Sequence, residues 1–266
     1  MIPLFATEVI DARLTACAPR FRALLRAHRG GTFQGSHVCA CPDWENERGE
    51  HLLALVDHTM LRRILERLLS DREFLSPYGV RSVSRIHAEN RDLGVLPGIG
   101  RALIEYVPGE STSDLFGGNS NWRGPIWMPI NYSIVQAIEK FHRFLGDEFK
   151  VAIACLGGRE MSLKEIANLL AERLVSLYRP KNGSRPALAT QPPFATSPHW
   201  QDLLLFYEYF HADTGQGLGA AHQTGWTGLL ANLVMRRYRR DIPEFWSRQS
   251  VTINTVSRES LELRVA

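Results

Sequence analysis

The chain has 266 residues, 44% of them apolar, and a formal net charge of only +3. That length can bury one large core or two small ones, and the lack of a dense Lys/Arg run argues against nucleic acid as a partner. No uninterrupted apolar segment reaches bilayer-spanning length, and "MIPLFATEVI" lacks the basic start and apolar stretch of a signal peptide, so the expectation is a cytoplasmic protein with no membrane partner.

Helical periodicity dominates. Ile10, Leu14, Cys17, Phe21, Leu24 and Leu25 share one helical face, with Pro19 dividing it into two short pieces. "RGGTFQGSHVCACPDWENERG" reads as a loop. Within it His37, Cys39 and Cys41 have the chemistry of metal ligands, but no fourth ligand is evident, and isolated reduced thiols are the competing account. No cofactor or metal is assigned. "HLLALVDHTMLRRILERLL" predicts a helix through Leu52, Val56, Met60, Leu61, Ile64 and Leu68.

"SPYGVRSVSRIHAENRDLGVLPGIG" is rich in turn formers, and "ALIEYV" has the look of a short strand. A helix follows on Ile130, Ile134, Ile138, Phe141 and Leu145, closed by Gly146. Ser162 and Glu165 form a capping-box pattern ahead of Ile166, Leu169, Leu170, Leu174 and Leu177. After the Pro-rich "RPKNGSRPALATQPPFATSPHW", a last helix starts near Thr224 and carries Trp226, Leu229, Leu230, Leu233 and Val234. Beyond Tyr238 the pattern weakens. The expected picture is helices joined by long, polar, aromatic-rich loops, and loops of that length carry function more often than mere connection.

Three stretches have chemistry to offer. "GGNSNWRGPIWMPINY" combines Trp122 and Trp127, the guanidinium of Arg123 and the amides of Asn119, Asn121 and Asn131. This mixture suits a sugar, which has apolar C–H faces and a belt of hydroxyls; buried rings with asparagines capping a helix are the alternative. In "LLLFYEYFHADTGQGLGAAHQTGW", Glu208 is the lone charge between Leu203 and Phe210. Such a carboxylate is paired, faces a polar cavity or has a shifted pKa; a structural ion pair competes with a catalytic role. Asp213, His222, Gln223 and Trp226 follow it. The third stretch, "FLSPYGVRSVSRIH", places Tyr78 and Arg81 in a turn, where a solvated loop is the simpler account.

Together these motifs, with "YVPGES" and "FHRFLGDEFKV", resemble glycoside hydrolase family 63, in particular the C-terminal part of its large bacterial members, from about Ile2 to Leu233. The resemblance implies an all-α fold: the C-terminal half of an (α/α)6 barrel, with long loops and minor β structure, over residues 1–238, and a divergent tail over 239–266. It implies inverting, exo-acting hydrolysis of α-linked glucosides or mannosides without a metal, for which two carboxyls stand roughly 6.5–9.5 Å apart around the scissile bond. Glu208 matches the family's general base. Trp122, Arg123, Gly124, Pro125 and Trp127 match its sugar-lining "WRGPIW", while His222, Gln223 and Trp226 match the segment after the base. Tyr78, Arg81 and Asn131 complete the expected substrate contacts.

No segment matches the family's Asp general acid; Glu110, Asp114 and Asp213 lie outside that acid's motif. The expectation is therefore a C-terminal fragment, inactive alone, whose partners are an oligosaccharide or small glycoside and an N-terminal half-barrel from an upstream reading frame. A non-catalytic carbohydrate-binding or assembly module that completes such a half is the alternative.

Overall fold

A computed structural model describes residues 2–21, 23, 45–98, 100–112, 121–181, 183–188, 194, 197–200 and 203–238. The chain opens with strand β1 (Thr7–Ile10), which pairs antiparallel with β2 (His51–Ala54), Thr7 opposite Ala54 and Ile10 opposite His51. Both segments carry apolar residues that fit a helical face, yet in β2 burial alternates, with Leu52 and Ala54 inside, which is the period of a strand.

Asp11 and Asp57 set the phase instead. The Asp11 side chain accepts from the Arg13 amide to start α1 (Ala12–Cys17), and the Asp57 carboxylate accepts from the Met60 amide at 2.7 Å to start α2 (His58–Leu68). Each satisfies an N-terminal donor that the helix leaves open. Counted from that cap, Leu61, Leu65 and Leu68 face the core and Met60 is 46% exposed.

The scaffold is a pair of long helices. In α3 (Met128–Leu145), Ile134, Val135, Ile138, Phe141 and Phe144 are buried, and Gly146 ends it at φ 74°. In α4 (Leu163–Ser176), Ile166, Ala167, Leu170, Ala171 and Leu174 are buried behind a capping box in which Ser162 and Glu165 exchange hydrogen bonds. The predicted Thr224 helix is split into α5 (Thr224–Thr227) and α6 (Leu229–Tyr238), and Leu230 and Leu233 of α6 join the same core.

The remaining strands are hairpins that periodicity did not reveal: β3 (Leu75–Ser76) with β4 (Gly79–Val80), β5 (Asp92–Leu96) with β6 (Gly100–Leu103), β7 (Lys150–Ile153) with β8 (Arg159–Ser162), and β9 (Tyr209–Phe210) with β10 (Gly217–Leu218).

The expectation of an all-α fold is thereby corrected. Structure amounts to 43% helix and 19% strand, and among the described residues the strands form five separate two-stranded antiparallel sheets. Strands of two to five residues are too short for their period to stand out against neighbouring helical patterns. His37, Cys39, Cys41, Asp114, Asn119 and the tail 239–266 lie outside the described residues. Among the described residues, no helix is long and apolar enough to cross a membrane.

Candidate functional site

Ile126 joins the three stretches singled out in the sequence. Its amide donates to the Phe210 carbonyl at 2.8 Å and its carbonyl accepts from the Phe210 amide at 3.0 Å. On its other side it bridges Arg81, and the Ser82 amide donates to the Pro125 carbonyl at 3.1 Å. Segments about 45 and 85 residues away in sequence therefore meet at one backbone position, just ahead of α3. Trp127 is the N-cap residue of that helix and Pro129 sits in its first turn, where the missing amide hydrogen costs nothing.

From this junction an aromatic stack is built. The Trp122 and Trp127 rings lie parallel with centroids 3.8 Å apart, and Trp127 stacks in turn on Tyr209 at 4.8 Å. Trp226 meets Trp127 edge-on at 6.1 Å. Tyr209 is fully buried, whereas Trp122, at the outer end, is 38% exposed. The Trp127 indole donates to the Asn121 carbonyl at 3.0 Å, and the Asn121 amide donates to the carbonyls of Val107 and Gly109 at 2.8 and 2.6 Å. Gly124 has φ +156°, and a Cβ there would stand 2.8 Å from a Tyr106 ring carbon and 2.9 Å from the Val107 carbonyl oxygen, so glycine alone fits.

Glu208 adjoins the inner end of the stack and is half-buried. Its Oε2 accepts from the Ala220 amide at 3.2 Å while its own amide donates to the Ala220 carbonyl at 2.9 Å. Gly219, at φ +70°, permits this: a Cβ would lie 2.8 Å from Glu208 Oε2 and 2.7 Å from a Tyr209 ring carbon. The Tyr209 hydroxyl donates to Glu110 Oε2 at 2.8 Å. Burial pushes its pKa well up, and the negative charges of Glu110 and Glu208 push the same way. The hydroxyl therefore stays a donor throughout the ordinary pH range.

The expected substrate residues divide into two groups. Trp122, Trp127 and Trp226 form or flank the stack, Arg123 lies in the chain beside Trp122, and Gly124 packs on Tyr106. Arg123 donates from Nη2 to Ser111 Oγ at 3.1 Å, while among the described residues its buried Nε and the buried Nε1 of Trp226 have no partner. His222 and Gln223 are exposed; the Gln223 amide is fixed to the Phe206 carbonyl at 2.6 Å and the His222 ring lies 5.9 Å from Phe206.

Arg81 and Asn131 behave differently. Arg81 is 2% exposed and donates to the Tyr106 hydroxyl at 3.0 Å, the Leu75 and Asp71 carbonyls at 2.5 and 3.3 Å, and Asp213 Oδ1 at 3.1 Å. Asn131 is buried: it accepts from the Val80 amide at 2.7 Å and donates to the Val80 and Trp127 carbonyls, both at 3.0 Å. Asn131 is committed to holding backbone, and Arg81 to backbone carbonyls and the Tyr106 and Asp213 side chains. Tyr78 is half-buried against Gly215, at φ +77°, with a Cβ position 2.9 Å from its ring. Sequence reasoning passed over Tyr106 and Tyr209 and left Glu110 without a role; Tyr106 and Glu110 lie in the "YVPGE" segment and Tyr209 directly follows Glu208, and only the fold brings them together.

Residues 51–227 match the mannosylglycerate hydrolase MGH1-like glycoside hydrolase domain. An uncharacterized protein of Saccharomyces cerevisiae is 44% identical over 186 residues, covering 69% of this chain and 17% of its own. Mannosyl-oligosaccharide glucosidase of the same yeast is 29% identical over 125 residues, 46% of this chain and 12% of its own. A probable mannosyl-oligosaccharide glucosidase of Schizosaccharomyces pombe is 22% identical over 183 residues, 68% of this chain and 16% of its own. The chain thus spans less than a fifth of the length of each relative.

Proposed function

The chain belongs to the MGH1-like glycoside hydrolase domain family, within glycoside hydrolase family 63, and we propose that it supplies the general base and one wall of the sugar pocket for inverting hydrolysis of α-linked glucosides or mannosides. Glu208 takes the proton from the attacking water. The stacked Trp122, Trp127 and Tyr209 present an aromatic face to the C–H surface of the sugar ring. The general acid, which must protonate the leaving oxygen from the opposite side, is assigned to none of the described residues. The chain by itself is then expected to bind sugar and to leave ordinary glycosides uncleaved.

The observation that carries this reading is the junction at Ile126, which sets the partly exposed tryptophan stack beside Glu208. Stacking of a sugar on an exposed indole needs that indole held flat and rigid, and the parallel Trp127 ring does so. Calorimetric titration with methyl α-D-glucopyranoside and methyl α-D-mannopyranoside tests it. One of the two sugars binds the wild-type chain, and Trp122→Ala weakens binding about tenfold or more by removing the stacking face. Absence of heat with both sugars contradicts the reading. A second reading is a non-catalytic carbohydrate-binding or assembly module; it predicts sugar binding with no hydrolysis under any condition.

A further inference from the structure

We infer that Glu110 is a substrate-binding residue of this site, whose carboxylate accepts hydrogen bonds from the hydroxyls of the sugar ring lying on Trp122. The inference rests on the sugar-binding reading above and adds to it a residue of the "YVPGES" segment, to which no role was assigned.

The segment around Glu110 is fastened on both flanks. The Val107 amide donates to the Arg123 carbonyl at 2.8 Å, and the Ala212 amide donates to the Pro108 carbonyl at 3.0 Å. Asn121 holds the carbonyls of Val107 and Gly109, and Arg123 reaches the hydroxyl of Ser111. Gly109 lies flush on His211, where a Cβ would approach a ring carbon to 2.9 Å. A five-residue segment tied at so many points delivers its one charged side chain to a fixed place.

That place is the edge of the aromatic stack. Glu110 is exposed, but its Oε2 is pinned by the hydroxyl of the fully buried Tyr209, which also forms the inner end of the stack. Burial and the two flanking carboxylates hold that hydroxyl in its donor form. A buried tyrosine does not need a charged acceptor: the hydroxyl of the buried Tyr178 donates to the Leu205 carbonyl at 2.9 Å.

A carboxylate offers about four lone-pair sites, so the bond to Tyr209 leaves acceptor capacity for hydroxyl donors. A pyranose over Trp122 brings several such donors, and hydrogen bonds to a charged acceptor are the stronger kind.

The test compares wild type, Glu110→Gln and Tyr209→Phe by calorimetric titration with methyl α-D-glucopyranoside and methyl α-D-mannopyranoside, alongside thermal unfolding. Glutamine still offers an oxygen to Tyr209 but removes the charge. It should weaken sugar binding about tenfold or more with an unchanged unfolding midpoint. Tyr209→Phe keeps the charge, releases its position and should weaken binding less. Wild-type affinity in Glu110→Gln overturns the inference and leaves Glu110 as a partner for Tyr209 only. If Glu110→Gln also lowers the unfolding midpoint, Tyr209→Phe decides. Stronger binding in Tyr209→Phe than in Glu110→Gln supports the inference, and equal loss in both overturns it. A wild-type chain that binds neither sugar fails at the earlier step, since the sugar-binding reading itself then falls.

Discussion

Two regions of this molecule each set a buried polar side chain against a more accessible carboxylate, with opposite consequences. In the turn after α2, Arg81 meets Asp213 through Nη2, while its Nε is spent on the Tyr106 hydroxyl and its Nη1 on the Leu75 and Asp71 carbonyls. In the aromatic wall, Tyr209 meets Glu110 through a single hydroxyl, and the charge it pins lies at an exposed edge. The first arrangement is a bolt, fully occupied by the protein that it fastens. The second holds a charged group in place with capacity to spare, which is what a binding surface needs. Both regions lie in sequence stretches that match one family, so membership of a motif does not by itself separate the residue that binds from the residue that braces.

The largest expected effect comes from the centre of the aromatic wall. Trp127 is buried, caps α3 and carries both stacking partners. Trp127→Ala should cost about 3–5 kcal/mol, measured as the shift in urea unfolding, and it should abolish sugar binding with it. Next comes Arg81→Met, which takes a donor from the Tyr106 hydroxyl, two carbonyls and Asp213, the last keeping only the Tyr106 hydroxyl as a side-chain donor among the described residues. It should cost about 2–4 kcal/mol, yet titration of the molecules that remain folded should return an affinity within about twofold of wild type. A large affinity loss in stably folded Arg81→Met would move Arg81 from brace to site and break the contrast.

The smallest effect is a pH dependence beside the bolt. Burial lowers the His211 pKa, outweighing the opposing pull of Asp213, and the ring's Nδ1 accepts from the Asp213 amide at 3.2 Å. The folded state therefore favours neutral His211, and the unfolded chain binds the proton more readily. Stability on this account is full above the ordinary histidine pKa and falls as pH drops through that value toward the lowered folded one. Unfolding midpoints at about pH 7.5 and about pH 5.5 should differ less in His211→Gln than in wild type; equal differences would show that His211 does not contribute.

Local signals in the sequence located the scaffold well where they were strong. The Ser162/Glu165 box and the Gly146 stop mark the ends of α4 and α3 because capping is a short-range interaction. The strands were not legible: Leu52 and Ala54 fit a helical stripe as readily as a buried strand face, and only pairing with Thr7–Ile10 decides between them. The aromatic and carboxylate residues of the site were visible as unusual composition, whereas the division of labour among them was not. Asn131, expected as a sugar contact, exchanges hydrogen bonds with the Val80 backbone, and Glu110 meets Tyr209, a contact 99 residues away in sequence; neither contact was legible in the local pattern.

The claim that Glu208 is a general base is tested most directly with a substrate that needs no acid. Fluoride departs from an α-glucosyl or α-mannosyl fluoride without protonation, so a site holding the base alone can still direct water to the anomeric carbon. Followed by proton NMR, the purified chain should release the β-configured sugar first, faster than the uncatalysed reaction, and Glu208→Gln should lose that acceleration by about a hundredfold or more. Release of the α-configured sugar, or a rate indifferent to Glu208→Gln, would contradict the account.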